Sequence, residues 1–274
     1  MQERVTQYHA IQNEVKQALT QQRFELWLQP QVDTNDAVIG AEALIRLRRV
    51  DGSIVLPDAF IHIAEETGLI VPLGQWVRMQ ACRLLARYPS AQLPRLSVNI
   101  SAIEFRQPHI VEEVLALLQS TGTDPARLNL EITENLLIDG LDETMLKLDA
   151  LAAAGIGLSI DDFGTGYSSL AYLQRLPIRE IKIDKRFVRD LMTDRRSGDL
   201  TQTLIMLARN FGFDVIAEGV ETRSQADFLT DLGCRFMQGF LYGAPRPIWG
   251  SAQGVAPRRD ALSHIASGDP EFHM

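Results

Sequence analysis

From Phe24 onward the chain alternates short apolar runs with longer amphipathic stretches. Eight runs carry the two-residue period of strands: FELWLQPQV (24–32), VIGAEALI (38–45), LSVNIS (96–101), LNLEIT (128–133), GIGLSID (155–161), EIKID (180–184), DVIAEG (214–219) and CRFMQGF (234–240). Between them lie helical patterns: PDAFIHIAEETG, LGQWVRMQACRLLARY, PHIVEEVLALLQS, DETMLKLDALAAAG, YSSLAYLQRL, DLTQTLIMLARNFG and TRSQADFLTDLG. Strands alternating with helices at this spacing predict parallel strands joined by crossover helices. Eight of them favour an α/β fold of the (β/α)8 TIM-type barrel class. An open doubly wound sheet usually shows a Gly-rich phosphate turn early, and the chain has neither GxGxxG nor GxxxxGK[ST].

The ends of the chain read differently. Residues 1–22 are rich in Gln and polar, with a thin apolar stripe of Val5, Ile11, Val15 and Leu19, which predicts a helix. That helix is either a cap on the domain or the end of a linker helix from an upstream module. Residues 23–250 hold the barrel pattern. Residues 251–274 are rich in Pro, Gly, Ser and charge and read as a tail.

Within the strand runs the polar positions are not scattered. Side chains alternate between faces. Val98 and Ile100 oppose Ser97, Asn99 and Ser101; Leu130 and Ile132 oppose Asn129 and Glu131. Leu158 and Ile160 oppose Ser159 and Asp161; Ile181 and Ile183 oppose Lys182 and Asp184. Glu42, Leu44 and Arg46 share a face, and Glu218 and Gln238 sit at the ends of their runs. One face is apolar, as packing under outer helices requires. The other repeatedly carries an acid, amide or Lys near the strand's C-terminal end. In a parallel barrel these ends converge at one mouth, where barrel active sites are built.

Composition narrows the chemistry. In 274 residues, 46% are hydrophobic and 23% charged, which suits a globular core and excludes a disordered or collagen-like chain. The net charge of −8 disfavours a nucleic acid polymer as partner, though one small anion could bind where a local cation reverses the field. Two cysteines, Cys82 and Cys234, without CxxC, argue against a disulfide framework or a thiolate zinc site and for free thiols in a reducing compartment. No apolar run approaches the roughly 18 residues of a membrane span, and the N-terminus lacks an apolar signal core. The expected location is cytoplasmic, either as a separate protein or as the cytoplasmic part of a larger, membrane-anchored one.

Converging carboxylates repel unless a cation sits among them. Glu42, Asn99, Glu131, Asp161, Asp162 and Glu218 offer only oxygen, and none of the five histidines joins them, which suits Mg²⁺ or Mn²⁺ and argues against Zn²⁺. Asp161 and Asp162 are adjacent and would face opposite ways on a regular strand. Both serve one site only if the chain leaves strand geometry at Asp162, which the glycines of the following FGTGYSS permit. Five acids exceed what one such ion usually takes, so two ions are expected.

These segments match a family pattern. AEALIR, SVNIS, LEITEN, SIDDFGTGYSSLAYLQRLPIREIKID, VIAEGVET and GCRFMQGFLYGAP, in this order from about Phe24 to Pro247, resemble the EAL domain, named for Glu42-Ala43-Leu44. The resemblance implies a barrel whose first strand runs antiparallel, and a phosphodiesterase that opens cyclic di-GMP to linear pGpG with Mg²⁺ or Mn²⁺. It implies Glu42, Asn99, Glu131 and Asp161 as ligands of one ion, and Asp161, Asp162 and Glu218 as ligands of a second. Lys182 would hold the attacking water and offset charge at phosphorus, and Gln238 would orient water or ligand. Arg46 would contact phosphate, with Gln29 and Asp184 on the substrate side. Glu134 would anchor the DFGTGYSS loop, with Glu221 in support. A homodimer and an upstream sensor or GGDEF-type domain are the partners implied. Some EAL-like domains bind cyclic di-GMP without cutting it and typically lack metal ligands; here every ligand position is filled. The departures are Leu47, where Trp often follows the Arg, and His62, where Pro is common.

Overall fold

The computed structural model describes residues 2–137, 141–164 and 173–247. The YSSLAYLQRL segment up to residue 172, with Tyr167, and Trp249 and the tail 251–274 lie outside the described residues.

In chain order the elements are α1 (Gln2–Thr20), β1 (Phe24–Asp33), β2 (Val38–Arg48), β3 (Ile54–Val55), α2 (Ile61–Glu66), α3 (Ile70–Arg87), β4 (Leu96–Ile100), α4 (Ala102–Phe105), α5 (Ile110–Thr121) and β5 (Leu128–Thr133). Then come α6 (Leu141–Ala153), β6 (Gly157–Phe163), β7 (Glu180–Ile183), α7 (Lys185–Arg189), α8 (Arg195–Asn210), β8 (Asp214–Ala217), α9 (Arg223–Asp231), β9 (Phe236–Gln238) and β10 (Arg246–Pro247). The sheet runs β1–β9–β8–β7–β6–β5–β4–β2 and closes through a β1–β2 pairing, giving an eight-stranded barrel. β1 is antiparallel to both neighbours, and the other seven strands are parallel. The barrel class and its inverted first strand are as expected. β3 and β10 are short additions on β2 and β1.

The alternation in each strand sorts its side chains. Val98, Ile100, Leu130, Ile132, Leu158, Ile160, Ile181 and Ile183 point outward and are fully or almost fully buried under the helices. Burying one such side chain contributes about 1.5–3 kcal/mol, and this shell holds the layers together. α1 belongs to that packing: Val15 and Ala18 are completely buried, and Arg49 grips Glu14 at 3.0 Å.

The interior is polar, where barrels of this class usually stack branched aliphatics. Asn129 donates to Ser97 Oγ at 3.1 Å and Ser159 Oγ at 2.9 Å, so this buried amide is satisfied. At the end where the parallel strands begin, Arg95 donates to Glu180 at 2.8 Å and to Gln31 at 3.4 Å. There too Arg127 donates to the carbonyls of Leu85, Tyr88, Leu93 and Pro94, capping the end of α3 and fixing the entry to β4.

Candidate metal centre and cleft

At the other end the strand C-termini converge on Lys182. Its ammonium, fully buried, lies 2.6 Å from Glu131, 2.6 Å from Glu218, 3.3 Å from Asp161 and 3.4 Å from Glu42. The carboxylates come from β2, β5 and β6 and from the residue directly after β8. Asn99, exposed at the mouth, donates to Glu42 Oε1 at 2.7 Å, and Gln238 donates to Glu42 Oε2 at 2.5 Å. Gln238 also donates to Gln29 at 3.2 Å and accepts from Gln31 at 3.0 Å.

The chain does leave strand geometry at Asp162. Its φ is +55°, and the β6–β7 register slips between Ile160 and Phe163. A non-Gly residue in the left-handed region is costly and persists only where the surroundings impose it. The bulge lets successive aspartates serve one side, and Gly164 at φ +90° continues the turn. Asp161, Asp162 and Glu218 each offer an oxygen, and these atoms all lie within 4.8 Å of one another.

The electrostatics follow from crowding. Lys182 stays protonated far above its usual range: burial opposes the charge, but Asp161, Glu131, Glu218 and Glu42 outweigh it. Burial first, and then its carboxylate neighbours, push Glu131 well up and Glu218 up to about 8, against the pull of Lys182. Burial and the Asp161 charge raise Asp162 to about 6. Glu42 is held below the usual range because Lys182, Gln238 and Asn99 together overcome its burial. One ammonium does not neutralise this set, and Glu131 Oε1 is buried without a hydrogen-bond partner. Surplus negative charge, oxygen-only donors and an orphaned acceptor fit a hard divalent cation.

Beside the carboxylates opens a cleft of about 380 Å³, lined by Asn99, Asp161 and Asp162 and by the apolar Leu44, Pro57 and Ile61. Arg46 lies buried on the β2 face that also carries Glu42, its guanidinium 5.5 Å from the centre of the Trp27 ring. Asp184 ends β7, caps α7 through Arg186 N at 2.8 Å and hydrogen-bonds to Asp162. Glu134 is buried in the single turn Glu134–Leu137 directly after β5. Glu221 is brought to the same end but is exposed, and its backbone N–H donates to Gln225 Oε1 at 2.9 Å.

The structure thus brings Glu42, Asn99, Glu131, Asp161, Asp162, Lys182, Glu218 and Gln238 together, with Gln29 bonded to Gln238. Sequence reasoning missed Gln31, whose i, i+2 relation to Gln29 in LQPQ was a usable signal. Trp27 also reaches the site, because the β1–β2 register pairs it with Leu44 on the Glu42 face.

A closed α/β barrel with an oxygen-donor cluster at its C-terminal mouth is the architecture of a metal-assisted barrel enzyme class. The chain matches the EAL domain family over residues 12–245 and belongs to it. It is 40% identical over 238 residues to the Pseudomonas aeruginosa bifunctional diguanylate cyclase/cyclic di-GMP phosphodiesterase MucR, across 86% of this chain and 35% of that protein. The P. aeruginosa cyclic di-GMP phosphodiesterase NbdA is 39% identical over 248 residues, across 89% and 32%. The chain spans about a third of the length of these curated relatives. The PaMucR phosphodiesterase solved as a c-di-GMP complex has a TM-score of 0.84 at 39% identity, covering 87% of this chain and 98% of that one. Klebsiella pneumoniae BlrP1, solved with calcium and cy-diGMP, has a TM-score of 0.71 at 30% identity, covering 82% and 56%.

Proposed function

We propose that this chain is a metal-dependent phosphodiesterase that hydrolyses cyclic di-GMP to linear pGpG with two ions of Mg²⁺ or Mn²⁺. The observation that carries this reading is the ring of carboxylates around buried Lys182, set beside an open cleft. Support comes from MucR and NbdA, which are cyclic di-GMP phosphodiesterases by name, and from the calcium and cy-diGMP of the BlrP1 complex.

Glu42, Asn99, Glu131 and Asp161 would hold one ion, and Asp161, Asp162 and Glu218 the other. Bound divalent cations would activate water and offset charge on the phosphoryl oxygens of an in-line displacement. The chain's own groups do the rest. Lys182, kept charged by its carboxylates, orients the attacking water and stabilises negative charge at phosphorus. Gln238 fixes the rotamer of Glu42 through their hydrogen bond. Arg46, held over Trp27, presents its guanidinium to a phosphate of the dinucleotide. Gln29 and Asp184 border the substrate, and Glu134 and Glu221 support the loop after β6.

A homodimer and an upstream sensor or GGDEF-type domain are the proposed partners; the cyclase in MucR's name supports the latter. No helix among the described residues is long and apolar enough to cross a membrane, and a cytoplasmic setting is part of the proposal. α1 serves as domain cap or linker helix, residues 23–250 as the phosphodiesterase unit and 251–274 as tail.

The alternative is a cyclic di-GMP receptor that binds without cutting. Product analysis with Mg²⁺ separates the two. The parent should yield pGpG and Glu42→Ala should lose turnover by orders of magnitude; binding without product, or turnover by Glu42→Ala within tenfold of the parent, would sink the assignment.

A further inference from the structure

In the lining of the same cleft, with Gly74, Ser101 and Glu104, lies an ion pair that the proposed chemistry does not use. Arg78 on α3 donates to Glu104 on α4, and both side chains are 3% exposed. The second Glu104 oxygen accepts from Ser101 N at 3.1 Å, while Ser101 Oγ accepts from Glu104 N at 3.2 Å. This is a capping box on a helix of only four residues. Ser101 stands two positions beyond Asn99, where β4 turns into α4. Gly74, one turn ahead of Arg78, leaves the room: a Cβ there would lie 1.5 Å from Glu104 Oε1.

Fold stability alone explains this poorly. A buried ion pair is often no better than an apolar pair of the same volume, because desolvation offsets the attraction. What such a pair does supply is direction, since a bifurcated carboxylate held by a guanidinium on one side and a backbone N–H on the other has one position. That position sets the β4–α4 turn.

We infer that Arg78 and Glu104 are positioning residues that lock the β4–α4 turn and thereby aim Asn99 into the metal centre. The inference rests on the assignment of Asn99 as a ligand. Residues outside the ligand set that orient ligands typically govern about 10–100-fold in metal affinity.

The test is Mn²⁺ calorimetry on the full chain, paired with urea unfolding. Arg78→Met with Glu104→Gln removes both charges at similar volume. It should keep the parent's unfolding midpoint while weakening Mn²⁺ binding about tenfold or more. Asn99→Ala should weaken binding by itself. Combined with the double substitution it should add almost nothing, because both act through one ligand. Should the double variant fail to fold, Ser101→Ala keeps the ion pair and loses one cap, and it should weaken Mn²⁺ binding about fivefold. Mn²⁺ affinity within twofold of the parent in the folded variants, or full additivity with Asn99→Ala, overturns the inference. If Asn99→Ala itself changes nothing, the ligand assignment fails first, and the inference falls with it.

Discussion

The two ends of the barrel use the same kinds of residue to opposite effect. At the end where the strands begin, one guanidinium meets one carboxylate: Arg95 pairs with Glu180, and Arg127 satisfies four carbonyls. At the mouth, one ammonium faces four carboxylates within 3.4 Å. At the floor the buried Glu180 has a guanidinium of its own, which suits holding a fold. The mouth gathers more carboxylates than its one ammonium can satisfy, which lifts Glu218 up to about 8 and suits receiving a cation. Charge in excess of its partners therefore marks the reactive end more clearly than polarity does, because both ends are polar.

The strongest way to break this contrast is to remove one cation from each end. Lys182→Met should lower cyclic di-GMP turnover about 10²–10³-fold, a loss on the scale of one charge-stabilising donor. Arg95→Met should leave kcat within a few-fold. Equal losses in steady-state kinetics would erase the distinction between the ends.

Arg127→Ala should act in the reverse sense. Stripping a charged donor from four carbonyls should cost about 3 kcal/mol in urea unfolding, with turnover per folded molecule unchanged. A variant as stable as the parent would show that the floor is not where stability resides.

Much of the mouth was readable in the chain. The alternation in LSVNIS, LNLEIT, GLSID and IKID assigned Asn99, Glu131, Asp161 and Lys182 to one face, and the strand-end position put them at one level. The need for a break at Asp162 followed from two adjacent aspartates. Other features have no local signature. Alternation does not encode strand direction, so the inverted β1 came from family resemblance. Arg78 and Glu104 lie 26 positions apart on different elements, and Arg95 precedes a strand in an unpatterned segment; only the closed barrel brings their partners near. Gln31 escaped because it was read without its cross-strand partner Gln238 on β9.

Metal addition sharpens the contrast at smaller scale. Mn²⁺ at about 100 times its dissociation constant should stabilise the parent by about 2.7 kcal/mol, and Glu131→Gln by less. Thermal melts with and without chelator read this directly. Identical melts would mean that the mouth's surplus charge attracts no cation.

The smallest effect concerns the thiols. Burial pushes Cys82 up to about 11 and Cys234 up to about 12. Both stay protonated at pH 8 and should resist disulfide-exchange reagents until the chain unfolds. The sign for stability follows: the folded thiols hold protons that unfolded ones release near pH 9, so stability should fall as pH rises from about 9 to about 12. Rapid labelling of the native protein at pH 8 would contradict this.

The most direct test is a crystal grown with Mn²⁺ and cyclic di-GMP, examined for anomalous scattering. Peaks among Glu42, Asn99, Glu131 and Asp161, and among Asp161, Asp162 and Glu218, with a phosphate alongside, are the predicted result. Nucleotide in the cleft with no metal peak at these oxygens would contradict the account.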